Sequence, residues 1–204
     1  MATQQQRAEA TRTQLLKAFR ASFLKLGYEA TTTQRILDET GLSKGAMYHH
    51  FRSKSEIMRA LYEQESKRAF DRAQRRVADA GSPLVRLRDL YLTWMEEVRS
   101  PSVSKMLFEI GPAALGPQSA KRIEDSVTRP HIERLLDDAI LSKEMKKCDT
   151  KLVAALLNAL VGEAALYRLR TGNETAAVLR ATLDAVLRSF RKSNPISGKV
   201  ADRL

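Results

Sequence analysis

The chain has 204 residues, 43% of them hydrophobic and 29% charged, which is enough for one large or two small folded domains and excludes intrinsic disorder. Lysine and arginine number 35 against 24 acidic residues. The resulting net charge of +11 favours a polyanionic partner, either nucleic acid or an anionic membrane surface. The single cysteine, Cys148, excludes an intrachain disulfide and a cysteine-rich zinc site, and we expect no metal and no cofactor. No run of 18 apolar residues occurs and the N-terminus is polar, so the sequence predicts a cytoplasmic protein without a membrane-spanning segment or signal peptide.

Apolar periodicity and helix-terminating residues predict an all-α fold of about nine helices, with no convincing strand. In the first helix, Leu15, Phe19 and Phe23 recur every four residues and form one apolar stripe. Gly27 and Gly41 are expected to end the first and second helices. The predicted helices cover about residues 7–26, 33–40, 44–51, 53–80, 83–99, 101–110, 118–142, 150–170 and 174–191.

Proline and glycine mark the later boundaries. Ser82-Pro83 and Ser100-Pro101 each place an N-cap residue before a proline at the first helical position. The pairs Gly111-Pro112 and Gly116-Pro117 are expected to bracket a break, and Pro130 to kink or interrupt the helix that contains it. The tail, residues 193–204, is expected to be flexible.

Residues 33–51 have the pattern of a helix-turn-helix motif, whose second helix enters the major groove of DNA. Ile36, Leu37, Leu42, Met47 and Phe51 are spaced to share one small core across the two helices. The pattern alone also fits an ordinary helical hairpin. The first 60 residues hold ten lysines and arginines against five acids, which favours DNA binding by this part of the chain.

At these residues the sequence resembles the TetR family of repressors. The resemblance is carried by GYEATTT at 27–33, Ile36, GLSKGAMYHHF at 41–51, Lys54 and Glu56, and it covers about residues 9–60 closely. Leu37 departs from the family, which usually has alanine there. The resemblance implies a three-helix DNA-binding domain over residues 9–60 and a helical ligand-binding and dimerisation domain over residues 61–192.

The candidate DNA contacts combine this resemblance with the chemistry of each residue. Thr32 and Thr33 lie at a helix N-terminus, which suits a phosphate, and Lys44 can reach guanine or a phosphate. Gly45 and Ala46 are small enough for a close approach to base edges. Tyr48, His50 and Lys54 resemble the family's phosphate-contacting positions. The full predicted set is Thr32, Thr33, Gln34, Ser43, Lys44, Gly45, Ala46, Tyr48, His49, His50 and Lys54.

The C-terminal part shows no catalytic arrangement and no spacing of metal ligands, so we expect no enzyme. A ligand pocket is predicted between the long fourth helix and the helices of 83–170, although aromatic and methionine side chains at helical spacing are often plain core. Its candidate lining is Phe70, Leu90, Trp94, Met95, Met106, Phe108, Glu109, Glu163 and Tyr167. Glu109 and Glu163 lie in apolar segments and, if buried, need a partner such as an arginine or a cationic ligand.

The last two helices are predicted to form a homodimer interface, because the helix of 150–170 is apolar on more than one face. The resemblance implies a four-helix bundle built from two helices of each subunit. The candidate interface residues are Leu152, Leu156, Leu160, Leu179, Leu183, Val186 and Phe190. The alternative is that these helices are ordinary core helices of a monomer.

The first hypothesis for function is therefore a homodimeric transcriptional regulator, most often a repressor in this family, which binds a palindromic operator and is released by a small-molecule inducer. A ligand-dependent activator is an alternative. A second class is a nonspecific architectural DNA-binding protein, which the charge of +11 also fits. A third class is a helical enzyme or carrier with a vestigial motif, which no catalytic constellation supports.

Overall fold

The structure is a computed structural model and describes residues 3–77 and 81–192. The predicted flexible tail of residues 193–204 lies outside the described residues. The helices are α1 (Gln4–Leu26), α2 (Thr33–Thr40), α3 (Lys44–His50), α4 (Lys54–Arg76), α5 (Pro83–Glu97), α6 (Pro101–Ser104), a π-helical segment (Lys105–Ile110), α7 (Gly111–Leu115), α8 (Pro117–Leu141), α9 (Thr150–Thr171) and α10 (Ala176–Ser189).

The all-α prediction is confirmed. If the continuous run from α6 to α7 is counted as one body, the described residues form nine helices. The only β-type pairing among them is an isolated antiparallel bridge between Met145 and Arg191. It ties the loop after α8 to the end of α10, where the Lys146 amide donates to the Phe190 carbonyl at 2.7 Å.

The first three helices and the start of α4 enclose a small core. Phe19 and Phe23 of α1, Ile36 of α2, Met47 of α3 and Ile57 of α4 are each fully buried. Side chains cap the N-termini of α2, α3 and α4: the Thr32, Ser43 and Ser53 hydroxyls accept hydrogen bonds from backbone amides three residues on. Each such cap is worth about 1 kcal/mol. The motif helices are therefore fixed locally as well as by the core.

Helix α4 joins this N-terminal unit to the rest of the chain. Its first turns pack on α1, and its later turns pack on α5, α7 and α8. Glu65, whose side chain is 5% exposed, accepts two hydrogen bonds from Arg20 of α1 at 2.8 and 3.0 Å. Further along, Glu97 of α5 bridges Arg72 and Arg76 of α4 at 2.7 and 2.8 Å. Ion pairs thus connect α4 to α1 of the N-terminal unit and to α5 of the rest of the chain.

Two predicted breaks are wrong. The chain does not leave the helix at Gly111-Pro112, because Gly111 has helical backbone angles and the π-helical segment continues into α7. Helix α8 runs through Pro130 without interruption, so of the predicted kink or interruption only the interruption is excluded. Several boundaries also shift by two to four residues: α1 begins at Gln4, α4 ends at Arg76, α5 ends at Glu97 and α10 begins at Ala176.

Gly111 is required for close packing and not for a turn. A Cβ atom at this position would lie 2.2 Å from Cδ2 of Tyr62 and 2.9 Å from the Met106 carbonyl oxygen. Tyr62 is fully buried, so its ring has no room to move away. The absence of a side chain at Gly111 lets α7 lie directly against α4.

We therefore expect Gly111→Ala to lower the free energy of unfolding by about 1–3 kcal/mol, the usual cost of overpacking a core. Chemical denaturation followed by circular dichroism measures this change. Gly162→Ala is the matched control, because Gly162 lies inside α9 with nothing within 4 Å of a built Cβ. The control should gain up to about 1 kcal/mol from the better helix propensity of alanine. Wild-type stability of Gly111→Ala would contradict the packing described.

Candidate DNA-binding surface and internal cavity

Helix α3 presents a continuous polar face to solvent. Lys44, Gly45, Tyr48 and His49 are exposed, while Met47 on the opposite side is fully buried. The Ser43 hydroxyl caps the helix by accepting from the Ala46 amide at 3.1 Å, so Ser43 orients α3. This face lies on a helix that its own core and cap hold rigidly, as groove reading requires.

The predicted contacts on α3 lie close together. The Lys44 ammonium lies 5.9 Å from the centroid of the Tyr48 ring, one helical turn away. The rings of His49 and His50 contact edge to face at 5.1 Å. Burial, helped by the nearby charges of His49 and Arg12, lowers the pKa of His50. This environment favours the neutral form of His50 in the chain without DNA.

The N-terminus of α2 is open to solvent. Thr32 is exposed and caps α2, and Thr33 is partly exposed at its first position. The Gln34 amide donates to Asp38 one turn along the helix at 2.8 Å, so this contact must be exchanged if Gln34 binds DNA. Arg12 of α1 stacks over Phe51 at 5.3 Å from the ring centroid and was not among the predicted contacts.

Lys54 has a different environment from the predicted one. Its ammonium donates to the backbone carbonyls of Tyr28 at 2.9 Å, Thr31 at 3.2 Å and Glu29 at 3.4 Å, and it lies 4.2 Å from the Tyr28 ring centroid. An ammonium has three donors, and these carbonyls use all of them. In the chain without DNA, Lys54 therefore fastens the α1–α2 loop to α4, and the predicted phosphate contact stays a prediction that competes with these three hydrogen bonds.

A cavity of about 330 Å³ lies between α4, α5, the π-helical segment, α8 and α9. Of the predicted lining residues, it brings together Phe70, Leu90, Trp94, Phe108 and Glu163. The other four predicted lining residues do not border the cavity. Met95 and Met106 are buried in the core but do not border the cavity, and Glu109 and Tyr167 are exposed outside it.

Sequence reasoning missed most of the polar lining. Tyr62, Ser66, Tyr91, Glu124, Asp125, Thr128 and Asn158 also border the cavity. The spacing of Tyr62 and Ser66 contained a usable signal, because they precede Phe70 by eight and four residues on one face of α4. Glu124 gave no such signal, since it lies in a stretch of α8 that reads as a charged surface.

The polar cavity residues form two groups. The Tyr62 hydroxyl contacts both the Leu107 carbonyl at 3.1 Å and a carboxyl oxygen of Glu124. On the other side, the Tyr91 hydroxyl donates to Asn158 at 2.9 Å, and the Asn158 amide donates to Thr128 at 3.0 Å. Burial raises the pKa of Glu124, with an opposing contribution from the Tyr62 hydroxyl. Among the described residues, no group of three or more His, Cys, Asp or Glu side chains has the arrangement of a metal site.

An apolar face remains uncovered on α9 and α10. Leu152 and Leu156 are 56% and 59% exposed, Val178 is 71% exposed, and Leu160 is half-buried between them and the core. By length and hydropathy α9 would also suffice to cross a membrane, which is weak evidence because core helices of water-soluble proteins pass the same test. Only 28% of its most apolar window is buried within the single chain.

The predicted interface set is corrected in part. Leu179 and Leu183 are 3% and 0% exposed and belong to the core of the chain itself, so they cannot cover a partner. Val186 and Phe190 are half-buried against the same core. The stripe on α10 was read correctly as buried, but its partner is α5 of the same chain.

The capped helix-turn-helix unit, followed by a helical domain with an internal cavity, defines a helix-turn-helix transcription regulator. Two family profiles match the chain: "Bacterial regulatory proteins, tetR family" over residues 15–61 and "Tetracyclin repressor-like, C-terminal domain" over residues 85–190. The second match alone covers more than half of the sequence. The chain therefore belongs to the TetR family of transcriptional regulators, which are not enzymes.

Relatives agree with this assignment. The transcriptional repressor KstR2 of Mycolicibacterium smegmatis is 28% identical over 114 residues, which are 56% of this chain and 52% of that protein. The chain thus matches about half the length of this curated relative. A TetR-family regulator from Pectobacterium atrosepticum has a TM-score of 0.74 at 25% identity, with 94% of this chain and 99% of that chain covered. RolR in complex with resorcinol has a TM-score of 0.69 at 14% identity, with 92% and 91% covered, and shows the fold alone.

The contrast between Lys44 and Lys54 gives a test by the salt dependence of binding to duplex DNA. Lys44→Ala should reduce the magnitude of the slope of log K against log salt by about 0.9, the value of one phosphate contact. Lys54→Ala should change the slope by less than about half as much as Lys44→Ala does. It should instead lower the midpoint temperature of thermal unfolding, because three backbone carbonyls lose their hydrogen-bond donor. Measurements at a temperature where both variants are folded separate the two effects. A full unit of slope lost in Lys54→Ala would restore it to the phosphate contacts.

Proposed function

We propose that the protein is a homodimeric repressor that binds a palindromic DNA operator and leaves it when a small molecule occupies the cavity. The observation that carries this proposal is the exposed polar face of α3 on a rigid, capped three-helix unit. We assign DNA binding to residues 9–60, and ligand binding and dimerisation to residues 61–192. Such a regulator acts where the chromosome is, so we also propose a cytoplasmic location.

The DNA contacts proposed for each subunit lie on α3 and at the start of α2. Lys44, Gly45 and Ala46 are at the N-terminal end of the recognition helix, the end that reads base edges in helix-turn-helix proteins. Tyr48 and His50 lie one turn further and are proposed to contact phosphates. Ser43 and Thr32 support the two helix ends and leave amide groups pointing at the DNA backbone.

Dimerisation is supported by the uncovered apolar face of α9 and α10. Exposed Leu152, Leu156 and Val178 would each lose contact with water in a two-fold interface, at about 25 cal/mol for each Å² of apolar surface buried. A two-fold symmetric dimer would bind a palindromic site, because its two α3 helices would read identical half-sites about 34–36 Å apart.

Ligand control is supported by the contacts that connect the cavity to the DNA-binding unit. Leu107 and Phe108 of the π-helical segment border the cavity, and Lys105 at the start of that segment donates to the Leu24 carbonyl of α1 at 2.9 Å. A ligand that displaces this segment therefore acts directly on the C-terminal end of α1. The shift is bounded by the ligand's difference in affinity for the two arrangements. RolR, whose structure contains resorcinol, has a similar fold.

Selection of binding sites from random duplex DNA, followed by sequencing, tests the proposal. A palindromic consensus is the expected result, with each mismatch costing about 1–3 kcal/mol. Binding without enrichment would favour a nonspecific architectural protein, for which the net charge of +11 is the supporting observation. Absence of binding with and without candidate ligands would overturn the DNA-binding function.

The dimer face gives a separate prediction. Leu156→Arg should yield monomers in sedimentation velocity, because two charges would enter a desolvated interface without partners. The monomer should stay folded, since the side chain is 59% exposed in the single chain. Leu141→Arg is the control: Leu141 is 79% exposed at the end of α8 and is not among the proposed interface residues, so its variant should remain dimeric. A dimeric Leu156→Arg protein would place the interface elsewhere.

A further inference from the structure

The charged side chains that border the cavity are mostly acidic, unlike those of the chain as a whole. The protein carries a net charge of +11, yet the charged residues at the cavity are Glu124, Asp125 and Glu163 with one base, Lys121. Glu124 and Asp125 are partly buried, so solvent screens their carboxylates less than it would at the surface, and an anionic ligand beside them is disfavoured. This asymmetry is the first indication of what the cavity binds.

Of the three acids, Glu124 is the one without a direct ion pair. Asp125 accepts from Lys121 at 2.6 Å and from Arg129 at 2.7 Å, and Glu163 accepts from Arg170 at 2.5 Å. No ion pair between described residues involves Glu124, whose carboxyl contacts the neutral Tyr62 hydroxyl; the nearby charge of Lys121 acts to lower its pKa, but burial outweighs that effect. A partly buried carboxylate without a direct ion pair is costly, and a positively charged ligand would reduce that cost.

Ser66 supplies a second, independent indication. The residue is 5% exposed, borders the cavity, and its hydroxyl oxygen has no hydrogen-bond partner. It follows Tyr62 by one turn on the same face of α4, so Ser66 and the Tyr62–Glu124 contact lie at the same end of the cavity. Buried polar groups in native proteins are nearly always paired, and an unpaired one that faces a cavity points to an absent ligand.

Aromatic side chains form the remaining walls. Phe70, Tyr91, Trp94 and Phe108 border the same space, and the Trp94 and Phe108 rings meet edge to face at 6.3 Å between centroids. Such walls suit a flat apolar ring and also attract a cation through the ring faces. The cavity thus combines an apolar compartment with one acidic, hydrogen-bonding end.

We propose that the effector is an arylalkylamine in its protonated form, with the ammonium group held by the Glu124 carboxylate and the Ser66 hydroxyl and the ring packed against Trp94 and Phe108. This inference rests on the proposed ligand-controlled function, because it names the chemical class that the same cavity takes.

The hydrogen bonds of Tyr62 show how such a ligand acts on the fold. A tyrosine hydroxyl has one proton, but Tyr62 contacts two oxygens, the Leu107 carbonyl and the Glu124 carboxyl. When Glu124 carries a proton, it donates to Tyr62, and Tyr62 donates to Leu107. An ammonium ligand stabilises the carboxylate, so the Glu124 proton passes to solvent. The carboxylate then accepts the Tyr62 hydrogen bond, and the Leu107 carbonyl loses its donor. The ligand charge thereby loosens the π-helical segment that holds α1 through Lys105.

Trp94 is the only tryptophan of the chain and borders the cavity, so its fluorescence reports binding directly. We would titrate the protein at pH 7 with three probes of similar size: 2-phenylethylamine, 2-phenylethanol and 3-phenylpropionate. The amine is protonated at this pH, the alcohol is neutral and the carboxylate is an anion. The expected order of affinity is amine, then alcohol, then carboxylate. An amine that binds no more tightly than the alcohol, or does not bind, would overturn the inference.

Two variants and a control locate the contact. Glu124→Gln keeps the size of the side chain but not its charge, and should weaken amine binding by roughly tenfold or more while changing alcohol binding less than about threefold. Ser66→Ala should also weaken amine binding. Glu109 lies on the π-helical segment but is exposed outside the cavity, so Glu109→Gln should bind the amine as the wild type does. Unchanged amine affinity in Glu124→Gln would overturn the assigned contact.

Operator binding, measured on the same samples, separates this inference from the proposed function. If DNA binding is intact and the amine does not bind, the ligand class is wrong and the repressor function is unaffected. If the amine binds through Glu124 but DNA affinity does not change, the site is correct and ligand control by this class is wrong. Circular dichroism of each variant confirms that a lost signal is not a lost fold.

Discussion

The burial of Tyr62 against Gly111 is the contact on which the rest of the structure depends. Helix α4 is the only long element shared by the DNA-binding unit and the helical domain, and Tyr62 is where the π-helical segment, α7 and α8 meet it. A ring that leaves no space for a Cβ atom fixes the distance between α4 and α7. Because packed interiors are stiff, movement of the segment around Leu107 must be accompanied by movement of α4 or α1.

The charged residues of the surface differ in sign from those of the cavity. The basic excess lies on the surface, with exposed Lys44 on the recognition helix, while the charged side chains at the mainly apolar cavity between α4, α8 and α9 are mostly acids. The two regions do not compete for the same ligand: a polyanion is attracted to the surface of α3, and a small cation is attracted to the interior. An effector of this class therefore carries the charge sign that the DNA surface repels, which limits nonspecific binding there.

The parts of this structure that could be predicted from the sequence are those set by local chemistry. The caps at Thr32 and Ser43 and the left-handed Gly41 depend only on neighbouring residues, and they were read correctly. Features set by distant residues were not. Nothing near Gly111 shows that Tyr62 lies against it, and nothing near Lys54 shows that the carbonyls of the α1–α2 loop surround its ammonium.

The same distinction explains the errors in the cavity and the interface. An apolar stripe such as that of Leu179 and Leu183 shows that a face is covered, but the sequence does not show whether α5 or another subunit covers it. The periodicity of apolar residues likewise identifies apolar lining residues of a cavity, such as Phe70, but it does not identify polar ones. Glu124, the group on which ligand charge depends here, lies among other charged residues of α8 and is indistinguishable from them before folding.

Helix α9 brings the cavity and the proposed subunit interface onto one element. Its buried side carries Val161, which borders the cavity, while its opposite side carries exposed Leu156. A ligand that moves α9 outward by a small amount changes the surface that a second subunit meets, without a long chain of intervening contacts. A bound ligand could thus act through two sets of contacts. One runs through Leu107 and Lys105 to α1, and the other runs through α9 to the proposed partner subunit. In the proposed dimer, one ligand would therefore act both on the spacing of the recognition helices and on the position of each DNA-binding unit.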